Sequence, residues 1–296
     1  MQRFFQFFLG AFLIFLYMIP SCILGMLALI FGLLARLIPV NSWYETLMKI
    51  ALFFPTLWGI ISGKFLSVRR HRWKIKGKGN LSPHKWYLLI SNHQSWLDIL
   101  VLGRVFSHKT SVIKFFMKRE LLWRLPILGL SCWSLNYPFV RRHSPQAIRK
   151  KPKLKGQDIQ TTKKACEKFK EFPTTIINFV EGTRFTIAQQ KSQSSPYIHL
   201  LKPKSGGIAI VIKELQKELS GILNVTIHYS QPLTFWKYFQ GDYSTITVHY
   251  ELLPLPSDLI GDYYENRNFR RYFQKWLNLL WKRKDLLLDE LGRAIY

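Results

Sequence analysis

Trp86-Tyr87-Leu88-Leu89-Ile90-Ser91-Asn92-His93-Gln94-Ser95-Trp96-Leu97-Asp98-Ile99-Leu100-Val101-Leu102 changes its periodicity midway. The first five residues are a short apolar run of buried-strand type, and from Ser95 onward the sequence reads as the start of a helix. His93 lies between the two. On a continuous helix, residues five apart are separated by about 500°, or roughly 140° after a full turn, so His93 and Asp98 would not face each other. A loop joining strand to helix removes that obstacle and lets His93 fold back onto Asp98. The pairing carries chemical meaning because Asp98 is the only carboxylate between Glu45 and Glu120. An imidazole titrates near neutral pH, and a carboxylate beside it fixes one tautomer and stabilises the imidazolium, so that His93 can take a proton from a hydroxyl. The ordinary reading of one His and one Asp at this spacing is a satisfied loop histidine and a helix cap, so the pair needs company elsewhere.

That company is Thr174-Thr175-Ile176-Ile177-Asn178-Phe179-Val180-Glu181-Gly182-Thr183-Arg184, a β-branched strand running into an acid, a glycine, a hydroxyl and an arginine. Active-site groups of open α/β sheets gather where strands end. A guanidinium suits bidentate binding of phosphate, and glycine allows close backbone approach. Further strands are expected at 223–229 and 244–253, and helices at 158–170, 206–219 and 269–281. Helices alternating with strands predict an α/β fold: a layered domain with a largely parallel or mixed sheet flanked by helices. Ser91 and Ser95 flank the histidine but sit in no Gly-x-Ser-x-Gly elbow, so they read as loop and cap serines rather than nucleophiles.

The two junctions, Asn92-His93-x4-Asp98 and Phe179-Val180-Glu181-Gly182-Thr183-Arg184, resemble in this order those of the glycerolipid acyltransferase family, whose best-known members are the lysophosphatidic acid acyltransferases. Weaker blocks extend the resemblance: Phe139-Val140-Arg141-Arg142 is similar to the family's second block, Lys204-Ser205-Gly206-Gly207-Ile208-Ala209 to its lysine-glycine segment, and Leu223-Asn224-Val225-Thr226 to its fourth. Asn136 stands where the second block usually opens on glycine, Arg141 where an acid usually precedes the arginine, and Val180 where proline usually precedes Glu-Gly. The fourth block lacks its proline. These departures imply a divergent branch, and the whole arrangement is most similar to a subgroup of bacterial inner-membrane acyltransferases.

The resemblance implies a mechanism. His93, oriented by Asp98, acts as general base on the hydroxyl of a lysophospholipid, which attacks an acyl thioester carried by acyl-CoA or acyl carrier protein. Arg142 and Arg184 hold the acceptor phosphate, and Glu181 accepts a hydrogen bond from a glycerol hydroxyl or orients Arg184. Gly182, Thr183, Lys204 and Gly206 complete the expected substrate-binding set. No metal and no prosthetic group is expected. The simplest acceptor is 1-acyl-sn-glycerol 3-phosphate; lysophosphatidylglycerol or a lipid A intermediate is the alternative, since this base suits any hydroxyl.

Composition adds a membrane. The chain has 296 residues, with 43 Lys and Arg against 17 acids and a net charge of +26, so it should meet a polyanion, either an anionic bilayer or nucleic acid. Residues 4–35 carry no charge, longer than the roughly 20 a single crossing needs. With Pro20 and Ser21 near the middle, this segment reads as a kinked span or a helical hairpin. It exceeds the apolar region of a signal peptide, roughly 7 to 15 residues, and has no small-residue cleavage site, so it should be retained. A second uncharged run, 50–63, contains Pro55 and suits a re-entrant or interfacial helix. Lys64, Arg69, Arg70, Arg72, Lys74, Lys76 and Lys78 follow it directly and mark the cytoplasmic side. The expected organisation is a membrane anchor over 1–64 and a cytoplasmic acyltransferase domain over 65–296, at the inner membrane. The resemblance places the helical pair half-buried in one leaflet beside the active site.

Between Arg141 and Lys170 lie eleven Lys or Arg and two acids, read as a solvated basic face or as a surface for the acyl donor. Cys22, Cys132 and Cys166 are odd in number, widely spaced and without metal-ligand spacing, so they read as reduced structural residues. The reading from another class, a membrane-tethered nucleic-acid-binding or scaffold protein, would need basic residues interleaved with stacking aromatics on one face, or a binding module. Neither is found, so no nucleic-acid partner is expected.

Overall fold

The computed structural model describes residues 2–68, 71–140, 156–242 and 244–293. Arg142 and the rest of 141–155 lie outside them. Two long helices come first, α1 (Gln2–Leu34) and α2 (Asn41–Phe65). Then follow β1 (Arg72–Lys78), β2 (Trp86–Ser91), α3 (Leu97–Phe106), β3 (Val112–Phe115), β4 (Met117–Lys118), α4 (Leu121–Arg124), α5 (Pro126–Ser134), β5 (Phe139–Val140) and α6 (Gln157–Phe169). The chain continues through β6 (Thr174–Phe179), α7 (Ile187–Ser192), α8 (Gly206–Glu214), β7 (Leu219–Tyr229), α9 (Phe235–Gln240), β8 (Thr245–Leu253) and α10 (Arg267–Arg293).

Among the described residues one mixed sheet runs in the order β1-β8-β7-β2-β6-β3 and is flanked by helices. β7 and β8 are antiparallel; the other neighbours are parallel. The central strand β2 is buried on both faces, which explains its unbroken apolar run. Its alternate residues serve two cores. Leu88 and Ile90 join Cys166 and Phe169 of α6 and Phe273 and Trp281 of α10. Leu89 joins Leu97 and Val101 of α3, together with Leu13 and Tyr17 of α1.

The N-terminal segment is a helical hairpin, and α1 stays helical through Pro20. Tyr17 bonds Ser62 at 3.0 Å, the Trp58 indole donates to Ser21 at 2.9 Å, and that of Trp43 donates to the Leu34 carbonyl, so the two helices run antiparallel. The second helix is longer than the uncharged run 50–63 suggested. Glu45 and Lys49 lie one turn apart at 3.7 Å on an exposed face, so their charges do not end it. Both helices are long and apolar enough to cross a membrane. On α1, Phe8, Phe12, Phe15, Ile19, Ile23 and Met26 recur every third or fourth residue as an exposed apolar stripe, while Leu13, Tyr17, Leu24 and Ala28 are buried.

Helix α8 ends at Glu214 rather than at the expected 219, because Leu219 opens β7 opposite Trp86 and the turn at Leu215 makes the change of direction. Asn136 has φ of 61°. The family-like second block usually has glycine there, and asparagine is among the few other residues that accept this left-handed conformation. Its side chain then accepts from Arg36 at 2.8 Å and from Lys168 at 3.4 Å, tying the hairpin turn to α6.

Candidate active site

β2, β6 and β7 are mutually parallel, so their C-terminal ends meet at one edge of the sheet. Ser91, Phe179 and Tyr229 end these strands, and the residues that follow the first two form two loops at that edge.

The first loop is pinned by Asn92, whose buried amide donates to the Ile227 carbonyl and accepts from the Ile227 N–H, both at 2.9 Å. His93 is thereby held outside α3 while Asp98 sits in the helix's first turn. His93 Nδ1 lies 2.8 Å from Asp98 Oδ2. The same oxygen accepts the backbone N–H of Gln94 at 2.7 Å and of Ser95 at 2.9 Å, and Oδ1 accepts the Tyr229 hydroxyl at 2.6 Å. Asp98 is fully buried, whereas the His93 side chain is 14% exposed. Since the carboxylate can only accept, the bond assigns the proton to Nδ1 and leaves Nε2 with its lone pair. The ring is stacked on Phe179, centroids 4.1 Å apart. Burial and the Asp98 charge push the Tyr229 hydroxyl well above its usual pKa, so it stays a donor.

The second loop turns at Gly182, where φ is 75°, a conformation that suits glycine. Its backbone is joined to the first loop by the Phe185 N–H, which donates to the His93 carbonyl at 2.7 Å. Glu181, expected to accept from a glycerol hydroxyl or to orient Arg184, turns inward beneath the two loops. Its fully buried carboxylate accepts the N–H of His93 at 3.4 Å and of Leu201 at 3.2 Å, and among the described residues its side-chain partners do not include Arg184. Burial pushes its pKa up to about 8, opposed by those two N–H groups and by the Lys284 ammonium. Arg184 is exposed, its guanidinium 5.3 Å from the ring centroid of Trp96, which brings it beside the His93 loop. Thr183 is partly exposed next to it. The Lys204 side chain is exposed, and its N–H donates to the Val180 carbonyl at 2.7 Å. Gly206 opens α8 where a Cβ would stand 2.7 Å from the Tyr264 hydroxyl oxygen. The expected role of Arg142 falls outside the described residues.

Two groups here escaped the sequence reading. Tyr229 ends a strand whose alignment only the sheet reveals. Lys284 belongs to α10 and is fully buried, its ammonium donating to the Val225 carbonyl and, at 3.1 Å, to Thr226 Oγ1. Burial pushes it down to about 7, opposed by the Glu181 charge. The available signal was its place on the inward stripe Phe273, Leu277, Leu280, Lys284 and Leu288, where a lysine interrupts apolar spacing.

Comparison with known proteins adds to this geometry. The family model described as Acyltransferase matches residues 72–230. The 1-acyl-sn-glycerol-3-phosphate acyltransferase 3 of Arabidopsis thaliana is 30% identical over 178 residues, 54% of this chain and 44% of that protein. Acyltransferase 2 of the same description from Brassica napus is 26% identical over 224 residues, 69% of this chain and 51% of that protein. The matched part of the chain thus spans about half the length of these relatives. The crystal structure of the 1-acyl-sn-glycerophosphate acyltransferase PlsC from Thermotoga maritima is similar in fold, with a TM-score of 0.56 at 16% identity over 97% of this chain and 99% of that one.

Proposed function

The chain belongs to the Acyltransferase family, and from that premise we propose that it transfers a fatty acyl group from an acyl thioester to the hydroxyl of 1-acyl-sn-glycerol 3-phosphate, giving phosphatidic acid. The observation that carries this reading is the 2.8 Å contact between His93 Nδ1 and a fully buried Asp98, on a ring that remains partly open.

His93 Nε2 takes the proton of the acceptor hydroxyl as its oxygen attacks the thioester carbonyl. The C–S bond breaks as the C–O bond forms, and the imidazolium returns the proton to the departing thiolate. Asp98 holds the ring through Nδ1 and offsets the charge that appears on it. Arg184, with Arg142, Lys204, Gly206 and the Gly182-Thr183 turn, binds the acceptor phosphate and glycerol, a task for which a guanidinium is suited. Glu181 acts from beneath by holding the His93 N–H. The donor is acyl-CoA or acyl carrier protein, and the site faces the cytoplasm at an inner membrane. The basic run from Lys64 in the last turn of α2 to Lys78 supports that orientation.

The test uses membranes carrying the protein or its His93→Ala form, labelled acyl donors, and a panel of 1-acylglycerol 3-phosphate, lysophosphatidylglycerol and a lipid A intermediate. Transfer to the first should fall by at least about 10² in the variant, as for loss of a general base. Near-normal turnover by His93→Ala overturns the base assignment, and transfer only to another lipid overturns the acceptor.

A further inference from the structure

Helix α4 and helix α5 meet at a corner, Leu125-Pro126. Gly129 makes the close approach possible, since a Cβ there would stand 2.5 Å from the Leu122 carbonyl oxygen and 2.8 Å from that of Leu121. On its inner side α5 lies against α1. A Cβ on Gly25 would stand 3.0 Å from Leu128 Cδ2, and one on Gly32 would stand 2.7 Å from Ser134 Oγ. Among the described residues, the outer side is left exposed. Trp123 is 73% exposed, more than any other large apolar side chain among the described residues, and Trp133 and Leu125 are 49% and 42% exposed. Lys118, Arg119 and Arg124 are exposed beside them, with Glu120 the one acid.

Two indoles and a leucine left this exposed are unfavourable, at about 25 cal/mol for each Å² of apolar surface that could be buried. Tryptophan concentrates at the head-group level of bilayers, and flanking Lys and Arg attract anionic lipid at about 1 kcal/mol each. The patch is also continuous with a membrane-suited element, because α5 rests directly on α1, whose opposite face is the apolar stripe. We propose that the α4–α5 corner is a second membrane-inserted element of this protein. Trp123, Leu125 and Trp133 enter the boundary between head groups and acyl chains of an anionic bilayer, and Lys118, Arg119 and Arg124 hold its phosphates. This element docks the rim of the catalytic layer on the lipid surface independently of the hairpin.

The test uses the full-length protein in vesicles of phosphatidylglycerol and phosphatidylcholine, with Cys22→Ala, Cys132→Ala and Cys166→Ala removing the native thiols. An environment-sensitive fluorophore is attached at Trp123→Cys, Leu125→Cys, Trp133→Cys or, as a reference in water, Lys217→Cys. At the three corner positions the emission should shift to the blue, be quenched by shallow nitroxide lipids and resist aqueous iodide; at the reference position the pattern should reverse. Iodide quenching at the corner equal to that at the reference overturns the proposal and leaves the patch for a protein partner. A second variant, Trp123→Ser combined with Leu125→Ser, should raise the apparent KM for acceptor presented in vesicles and leave that for a monomeric short-chain acceptor unchanged. An unchanged KM on vesicles, or an equal loss on both acceptors, overturns it. The quenching readout needs no acyl transfer, so it stands or falls apart from the proposed reaction.

Discussion

Asp98 accepts from four donors, His93, Gln94, Ser95 and Tyr229, while buried from solvent. Such a carboxylate is held in a fixed place, which is what the orientation of an imidazole requires. Replacing Tyr229 by Phe leaves Asp98 Oδ1 without that partner, at a cost of about 1–3 kcal/mol for a buried polar group left unsatisfied. Tyr229→Phe should therefore lower kcat by roughly tenfold and the melting temperature with it, read by steady-state kinetics and a thermal-shift assay. On the proposed reaction, Arg184→Ala should raise the KM for acceptor with kcat largely kept, since its guanidinium lies at the rim on Trp96. The His93 and Asp98 pair was legible in the sequence because both residues are local to one junction. Tyr229 was not, because sheet register brings it there from 131 residues away. Glu181 was legible as a residue of the site, but its direction was not: a motif names a side chain at a strand end without saying whether it turns in or out.

Helix α10 lies beyond the stretch that the family model matches, yet it clasps the site from behind. Trp281 Nε1 donates to the Leu201 carbonyl, Asp285 accepts the N–H groups of Ile198 and His199, and Lys284 reaches β7. Glu181 takes the other side of Leu201 through its N–H. Lys284→Met removes a charge that opposes the upward shift of the buried Glu181 carboxyl, so that carboxyl should stay protonated to still higher pH. Turnover should fall while the acceptor KM is kept, a split that steady-state kinetics will resolve. A second buried lysine, Lys114 of β3, lies 5.9 and 5.7 Å from the rings of Tyr137 and Phe169. Burial pushes it down to about 8, opposed by Glu171 and reinforced by Lys168 and Arg36. Between that value and its usual 10.5 the unfolded chain binds more protons than the folded one, so this group's contribution to stability rises with pH across that window. Lys114→Met should accordingly gain most over the parent below about pH 8 and lose that advantage as pH rises to about 10.5, at roughly 3 °C per kcal/mol in melting scans. Most element types could be read from periodicity. Their ends could not, because α2 runs past a charge pair and α8 yields to strand pairing.

At the level of the whole chain, a net charge of +26 surrounds a hairpin with an apolar outer stripe. Fields from exposed charges fade over about 10 Å at 0.1 M salt. Raising salt from low to about 0.5 M should therefore weaken capture of an anionic acceptor severalfold while the protein stays in the membrane pellet, as assays of vesicle turnover beside sedimentation will show. Alternation of helices and strands was enough to expect a layered α/β domain, but not to order its strands. Placing β1 at the far edge beside β8 depends on contacts between the two ends of the chain.

The sharing of one core by Leu13, Tyr17, Leu89 and Leu97 has a practical outcome. Cutting away the first forty residues to obtain a water-soluble enzyme would lay bare the underside of the strand that leads to the histidine. The hairpin is thus both anchor and floor, and a truncated form should melt well below the whole chain.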